Sequence, residues 1–200
     1  MVSTDGSIPG RQVGADPSAG IDCPAGRGHS GPMSRLSNHI TVEAPADAVW
    51  EVVAHQFDRI GQWATAVPAS TAHGDAPSTF GAPVAGRVCR TGVRLVPEVT
   101  VAIVAYDEAG RTLTYEAITG MPAFVTAARN RWRVTALDER RTRIAVEAQF
   151  EVRGVLGRLA RWWILRQVGR TGRHLLDDLK HYVEHGAPSP RKQRQLLARG

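Results

Sequence analysis

The sequence has few of the residues and motifs that mark cross-linked, metal-binding or well-known catalytic proteins. Its 200 residues include two cysteines, Cys23 in a Gly- and Pro-rich segment and Cys89 in a predicted strand. The two form neither a metal-binding spacing nor a disulfide framework, so we expect reduced thiols. The metalloprotease HExxH, the GxSxG elbow, the P-loop and the Gly-rich dinucleotide fingerprint are all missing. We therefore expect no metal and no cofactor.

Long apolar runs are also missing. The hydrophobic content of 42% is ordinary for a globular protein, and no stretch approaches the length of a transmembrane helix. The first residues, MVSTDGSIPGRQVG, lack the basic-then-apolar order of a secretory signal. We expect a cytoplasmic protein.

Charge is present in excess of one sign. The net charge is +6, and much of the excess lies at 153–173 and 191–199. A basic surface can attract nucleic acid, anionic lipid or acidic partners, whereas charged helix faces are usually just solvated. We favour the solvated interpretation, and we expect no nucleic-acid partner because the arginines of the predicted sheet alternate with acidic residues.

Composition divides the chain into three parts. Residues 1–35 are rich in Gly, Pro, Ser and Asp and predict a disordered N-terminal tail. Residues 36–186 carry the apolar patterning of one domain, large enough to bury a core. Residues 187–200 predict a basic, mobile C-terminal tail.

Alternating apolar and polar residues predict strands over most of the domain. After a first strand at 36–43, the segment to 63 predicts two short helices, and 70–85 predicts a loop. The remaining strands are expected at 86–93, 98–106, 112–119, 124–136 and 141–152, as an antiparallel meander with one wet face. In the last hairpin we expect Arg131 to lie opposite Glu147 and Trp132 opposite Val146, with the arginine row solvated.

The C-terminal part of the domain predicts a long helix. Residues 164–184, ILRQVGRTGRHLLDDLKHYVE, are amphipathic at helical pitch. Residues 154–163 carry a second apolar stripe that points nearly the opposite way, so either the helix bends near Trp163 or a separate short helix precedes it. This segment could cap a cavity mouth, meet a partner or touch a membrane, and we favour the cap.

This order of elements resembles the SRPBCC superfamily, which includes START domains, Bet v 1-type proteins and polyketide cyclases or dehydratases. The likeness is carried by ITVEAPADAVWEVVAHQFDRIGQW at 40–63, NRWRV at 130–134, TRI at 142–144 and LDDLKHYVE at 176–184. It implies an α+β helix-grip fold, in which a curved antiparallel sheet wraps around the long C-terminal helix, with two short helices after the first strand. It also implies an internal cavity for an apolar or amphipathic small molecule.

Candidate ligand-binding residues come from the predicted helix-facing side of the sheet and from the long helix. Tyr115 would offer a hydroxyl in apolar surroundings, Asn130 could hydrogen-bond a ligand carbonyl or hydroxyl, and tryptophans could stack on a flat ring. Plain core packing is the competing interpretation for the aromatics, and a backbone hydrogen bond is the competing one for the amide. The predicted ligand-binding set is Trp63, Tyr115, Asn130, Trp132, Phe150, Leu175 and Leu179.

Three functions stay open. The favoured one is binding of a hydrophobic or aromatic small molecule, lipid or polyketide-like, in the sheet-helix cavity. The second is a polyketide cyclase or dehydratase, in which Tyr115 acts as acid and Asn130 holds a carbonyl, although no matched acid/base pair is evident. The third is a peripheral membrane or partner-binding module that uses segment 153–173, with an anionic surface contacted by Arg158, Arg161, Trp162 and Trp163.

Overall fold

A seven-stranded antiparallel sheet forms the body of the molecule. The computed structural model describes residues 33–74, 78, 80–94 and 96–198, without the side chains of 156–161, 163 and 164. Its strands are β1 (Met33–Val42), β2 (Ala69–Ala72), β3 (Gly86–Val93), β4 (Val96–Asp107), β5 (Thr112–Thr119), β6 (Val125–Ala136) and β7 (Thr142–Val152). The strand order is β1-β7-β6-β5-β4-β3-β2. The chain therefore runs as a meander from β2 to β7, and β7 pairs with β1 at the edge of the sheet. The predicted disordered tail lies almost wholly outside the described residues.

Short helical turns follow β1 and a long helix follows β7. Helix α1 (Ala46–Trp50) continues directly as a π-helical turn (Glu51–His55), and a 3-10 helix (Phe57–Gln62) comes next. Helix α2 spans Gly154–His185 and ends at Gly186, whose left-handed φ of 68° is the usual way to close a helix. Helix α3 (Pro190–Leu197) follows. The predicted α+β helix-grip architecture is confirmed.

The last hairpin has the predicted register. Arg131 pairs with Glu147 and Trp132 with Val146. Trp132 and Val146 are buried on the concave face, which faces α2, whereas Arg131 is exposed on the convex face. On the convex face Glu147 forms its ion pair with Arg35 of β1, at 2.7 Å, and not with Arg131 across the hairpin.

Strand β2 lies in a segment that the sequence predicted to be a loop. Its residue Ser70 accepts a hydrogen bond from the Gly61 amide at 2.8 Å and donates to the Asp58 carbonyl at 2.5 Å. The two backbone segments approach so closely that a Cβ on Gly61 would lie 2.6 Å from the Ser70 nitrogen. This contact attaches the 3-10 helix to the edge strand, and only glycine permits it.

The long helix also differs from expectation. The predicted alternatives were a bend near Trp163 or a separate helix at 154–163, and the structure has one continuous helix of 32 residues, which excludes the separate helix. Its C-terminal half packs on the core through Leu176 and Leu179. Nearer the N-terminus of the helix, Gly172 approaches Asn38 of β1, and a Cβ added to Gly172 would lie 3.0 Å from the side-chain nitrogen of Asn38.

Helix α3 is a correction to the predicted mobile tail. Ser189 caps it and Pro190 occupies its first turn. Lys192 has no exposed surface, and its Nζ donates to the carbonyls of Val67 at 2.9 Å and Pro68 at 3.4 Å. The basic segment therefore folds back onto the loop after the 3-10 helix. The domain boundaries at 36 and 186 stay predictions. In the structure β1 begins before residue 36, and α3 follows α2 directly.

A buried carboxylate joins α2 to the loop after the 3-10 helix and to the cap of α3. Asp178 is 1% exposed; it accepts hydrogen bonds from the Thr65 amide at 2.8 Å and from the Ser189 hydroxyl at 2.6 Å. A buried charge requires such partners. The Asp178 contacts therefore fix the C-terminal end of α2 against the loop and against α3.

Candidate functional site

The concave face and the short helices enclose a small cavity. It is lined by side chains of the π-helical turn, the 3-10 helix and strands β3, β5 and β6: Val52, Val53, Phe57, Ile60, Trp63, Arg87, Leu113, Tyr115 and Trp132. Its volume is about 10 Å³, roughly what one water molecule needs. The surrounding core is otherwise closely packed.

Three of the predicted ligand-binding residues meet at this cavity. Trp63, Tyr115 and Trp132 are all buried in its wall. Tyr115 packs edge-on against Phe57, with the ring centroids 5.2 Å apart. The aromatic wall is thus assembled from residues far apart in sequence.

The other four predicted residues lie elsewhere. Leu179 is fully buried in the main core and the half-buried Leu175 packs against that core. Phe150 is buried at the far end of the concave face, between Ser34 and Ala128. Asn130 is half-buried beside Tyr115 and Ala148. None of the four lines the small cavity.

The concave face beyond Tyr115 is covered by small side chains. Ala117, Ala128 and Ala148 are all half-buried around Asn130. Among the described residues, the Asn130 side chain has no hydrogen-bond partner, so the backbone bond considered for it is not formed. A depression of about 220 Å³ at this end of the sheet is lined mostly from the convex side, by Glu116, Arg129, Gln149 and Glu151, and reaches Ala117, Ala128 and Phe150 between the strands.

The cavity contains one charged residue that sequence reasoning missed. Arg87 of β3 is 6% exposed, and its Nη1 donates to the Phe57 carbonyl at 2.7 Å. Its guanidinium lies 3.9 Å from the centre of the Phe57 ring. Burial raises the pKa of the neighbouring Cys89 thiol, and Arg87 partly offsets this. Arg90, three residues further along the same strand, is exposed and pairs in register with Glu98.

A second titratable cluster lies on the surface, outside the cavity. His55 contacts Glu51 at 2.7 Å and Glu108 at 3.1 Å, and the Tyr106 hydroxyl donates to Glu108. Partial burial lowers the pKa of His55, but its hydrogen bonds to the two carboxylates outweigh this and raise it above the ordinary value. Burial and then Glu108 raise the pKa of Tyr106. In the part of the chain that is described, no group of His, Cys, Asp and Glu is arranged to hold a metal ion.

The convex face carries an open groove of about 900 Å³. Arg129, Arg131 and Arg133 line it, as the alternation of β6 requires. Arg129 pairs with Glu116 of β5. The groove is shallow and solvated, in keeping with the interpretation of the arginine row as an exposed surface.

The start of α2 presents an exposed tryptophan. Trp162 is 70% exposed, and the Arg166 guanidinium lies 5.9 Å from its ring centre. The side chains of Arg158, Arg161 and Trp163, predicted to share this surface, lie outside the described residues. None of the helices in the described part of the chain combines the length and hydropathy that a membrane crossing requires.

Solved structures of similar fold were compared with the chain. A START superfamily protein from Mycobacterium smegmatis matches with a TM-score of 0.60 and 18% identity, covering 76% of this chain and 99% of that one. The Zhui aromatase/cyclase from Streptomyces sp. R1128 matches with a TM-score of 0.60 and 20% identity, covering 79% and 100%. A norcoclaurine synthase from Thalictrum flavum matches with a TM-score of 0.59 and 16% identity, covering 79% and 99%. These likenesses establish the fold.

The sequence itself matches a family model. No curated protein matches this chain in sequence. The family described as "Polyketide cyclase / dehydrase and lipid transport" matches residues 33–184, which cover β1 to the end of α2. The chain is therefore a member of the polyketide cyclase/dehydrase and lipid transport family, within the START/Bet v 1 (SRPBCC) superfamily.

Proposed function

We propose that the protein binds an apolar or aromatic small molecule, lipid or polyketide-like, on the concave face of the sheet beneath α2. One observation carries the proposal: half-buried alanines surround the Asn130 amide, which has no hydrogen-bond partner among the described residues and lies directly beside the aromatic wall at Tyr115. A face built only for stability is filled to high density by large apolar side chains. Small residues around a polar group are typical of a ligand site, which is mostly apolar with a few placed polar atoms.

Each residue has a defined task in this proposal. The Tyr115 ring forms an apolar wall, and the Asn130 amide hydrogen-bonds a carbonyl or hydroxyl of the ligand. Trp63 and Trp132 provide flat surfaces against which a ring can stack. Because the cavity beside them holds only about 10 Å³, binding requires these side chains to separate.

The family description supports carriers and enzymes alike. A polyketide cyclase or dehydratase is the alternative, with Tyr115 as acid and Asn130 as carbonyl holder. Its support is the likeness to the Zhui aromatase/cyclase. Around the small cavity, however, the titratable lining side chains are Arg87 and Tyr115, without a carboxylate or histidine to act as base. Binding is therefore the favoured function.

Native mass spectrometry of the purified protein, followed by organic extraction, tests the proposal. We expect a retained apolar molecule that Asn130→Leu and Tyr115→Phe reduce. The matched control is Thr114→Val, which alters the opposite face of the same strand. An empty protein that also gives no thermal shift with lipids and polyphenols would argue against a carrier.

The exposed Trp162 beside Arg166 supports a second candidate, docking of the start of α2 on an anionic membrane surface. Sedimentation with phosphatidylserine vesicles should then retain the protein, and the double variant Trp162→Ala/Trp163→Ala should release it. Equal sedimentation of wild type and variant would reject this role.

A further inference from the structure

Three buried hydrogen-bond donors belong to residues that line one cavity, and none of the three has an acceptor in the described part of the chain. Arg87 Nε and the indole nitrogens of Trp63 and Trp132 are each buried, and none has a hydrogen-bond partner among the described residues. All three residues line the same 10 Å³ cavity. Buried donors are almost always paired in folded proteins, because an unpaired one loses its bond to water without replacement.

The same cavity contains an unneutralised charge. No carboxylate in the described part of the chain pairs with Arg87, although its side chain is almost fully buried. Its one main-chain partner is the Phe57 carbonyl, and the faces of the Phe57 and Tyr115 rings and the Cys89 thiol lie beside it, none of which carries a negative charge. A buried cation of this kind is costly without an anion. The cavity therefore lacks an acceptor and a negative charge at the same place.

A water molecule fits the volume but not the chemistry. Water accepts at most two hydrogen bonds, whereas the wall offers three unpaired donors, and a neutral water leaves the guanidinium charge without an anion. An anionic oxygen accepts several bonds and donates none, and it neutralises the guanidinium. The cavity wall also includes Val52 and Val53 of the π-helical turn, a type of turn that is frequent at functional sites.

We propose that the ligand carries an anionic oxygen, of a carboxylate, phenolate or enolate, which docks on Arg87, Trp63 and Trp132. This inference rests on the proposed ligand-binding function and names the chemical class of the ligand. The oxygen enters the small cavity, and the apolar body lies past Tyr115 toward Asn130. Tyr115 belongs to the wall of the cavity and is the register partner of Asn130, so it joins the two halves of the site.

Two matched pairs of probes test the proposal by isothermal titration calorimetry: 2-naphthoate with methyl 2-naphthoate, and decanoate with methyl decanoate. Each ester keeps the apolar body and removes the charge. We expect the wild-type protein to bind the acid of at least one pair about ten- to a hundredfold more tightly, the usual effect of charge-assisted hydrogen bonds. Arg87→Met should remove this preference, and Arg90→Met, which alters an exposed arginine of the same strand, should keep it.

Failure of the inference differs from failure of the proposed function. Equal affinity for acid and ester, or a preference that survives Arg87→Met, overturns the anionic group and leaves ligand binding intact. Binding of none of the four probes overturns both. If Arg87→Met does not fold, Trp63→Phe replaces it. This variant removes one donor and should lower the affinity for the acid probe about two- to tenfold. The control is Trp50→Phe.

The indole resonances give an independent reading. On addition of the bound acid, the N–H signals of Trp63 and Trp132 in a nitrogen-15 correlation spectrum should move downfield. Trp50 is equally buried but stacks on Tyr106, with ring centroids 5.7 Å apart and outside the cavity, so its signal should stay in place. Uniform movement of all three signals, or none, would contradict docking at this cavity.

Discussion

Asp178→Ala should strongly destabilise the protein, because Asp178 holds three elements together. Its carboxylate accepts the Thr65 amide and the Ser189 hydroxyl, and hydrogen bonds to a charged group contribute about 1.5–3 kcal/mol each. Removing the carboxylate also removes the cost of burying it, so we expect a net loss of about 2–4 kcal/mol. At about 2–4 °C per kcal/mol for a chain of this size, Tm should fall by roughly 4–16 °C.

Urea unfolding followed by circular dichroism measures this loss, with Asp177→Ala as the matched control. Asp177 precedes Asp178 on the same helix but is exposed, so its replacement should change the unfolding free energy by less than about 0.5 kcal/mol. Hydrogen exchange should also increase in α3 for Asp178→Ala. Equal stability of the two variants would refute the role assigned to Asp178.

Three further changes have defined outcomes. Contacts with Glu51 and Glu108 raise the folded-state pKa of His55 above its ordinary value of 6.5. His55→Gln should therefore be less stable than wild type below pH 6.5, and the stability difference should vanish as pH rises through the folded-state pKa. A stability difference that grows with pH would contradict this. Gly169→Ala, in open space within α2, should stabilise by about 0.5–1 kcal/mol in a thermal melt, whereas a lower Tm would show a packing constraint. Leu179→Ala, at a fully buried position, should cost about 2–5 kcal/mol in urea unfolding, and a cost below about 1 kcal/mol would place Leu179 outside the core.

The sheet was predictable because its information is local. In β6 three arginines alternate with Ala128, Asn130, Trp132 and Val134, and a one-residue slip would move Trp132 to the solvent and Arg131 into the core. The register of this hairpin followed from that constraint together with the predicted turn at 138–140. Strand β2 was not predictable in the same way, because its four residues carry no apolar alternation and owe their conformation to pairing with β3 and to the contact with Gly61.

Helix α3 had a local signal that composition concealed. Ser189 followed by Pro190 is a typical helix start, but the basic residues after it suggested a solvated tail. Burial of Lys192 depends on the carbonyls of Val67 and Pro68, which are more than a hundred residues away in sequence. Such a long-range contact leaves no pattern in the segment itself.

The site was predicted in part. Tyr115 and Trp132 were assigned to the interior from strand alternation, and Trp63 was predicted as an aromatic that stacks on a ligand; the structure brings all three to one cavity. Arg87 was missed because a charged residue is ordinarily assigned to the solvent face. Because a free cysteine is usually buried, period-two alternation from Cys89 would have placed Arg87 on the inner face as well. This alternation was the available signal.

A crystal structure of the protein as purified, without added ligand, tests the central claim most directly. The account predicts continuous electron density on the concave face, with an oxygen between Arg87 and the indoles of Trp63 and Trp132 and an apolar body reaching Asn130. A concave face filled by side chains of α2, with a single water or nothing beside Arg87, would contradict it.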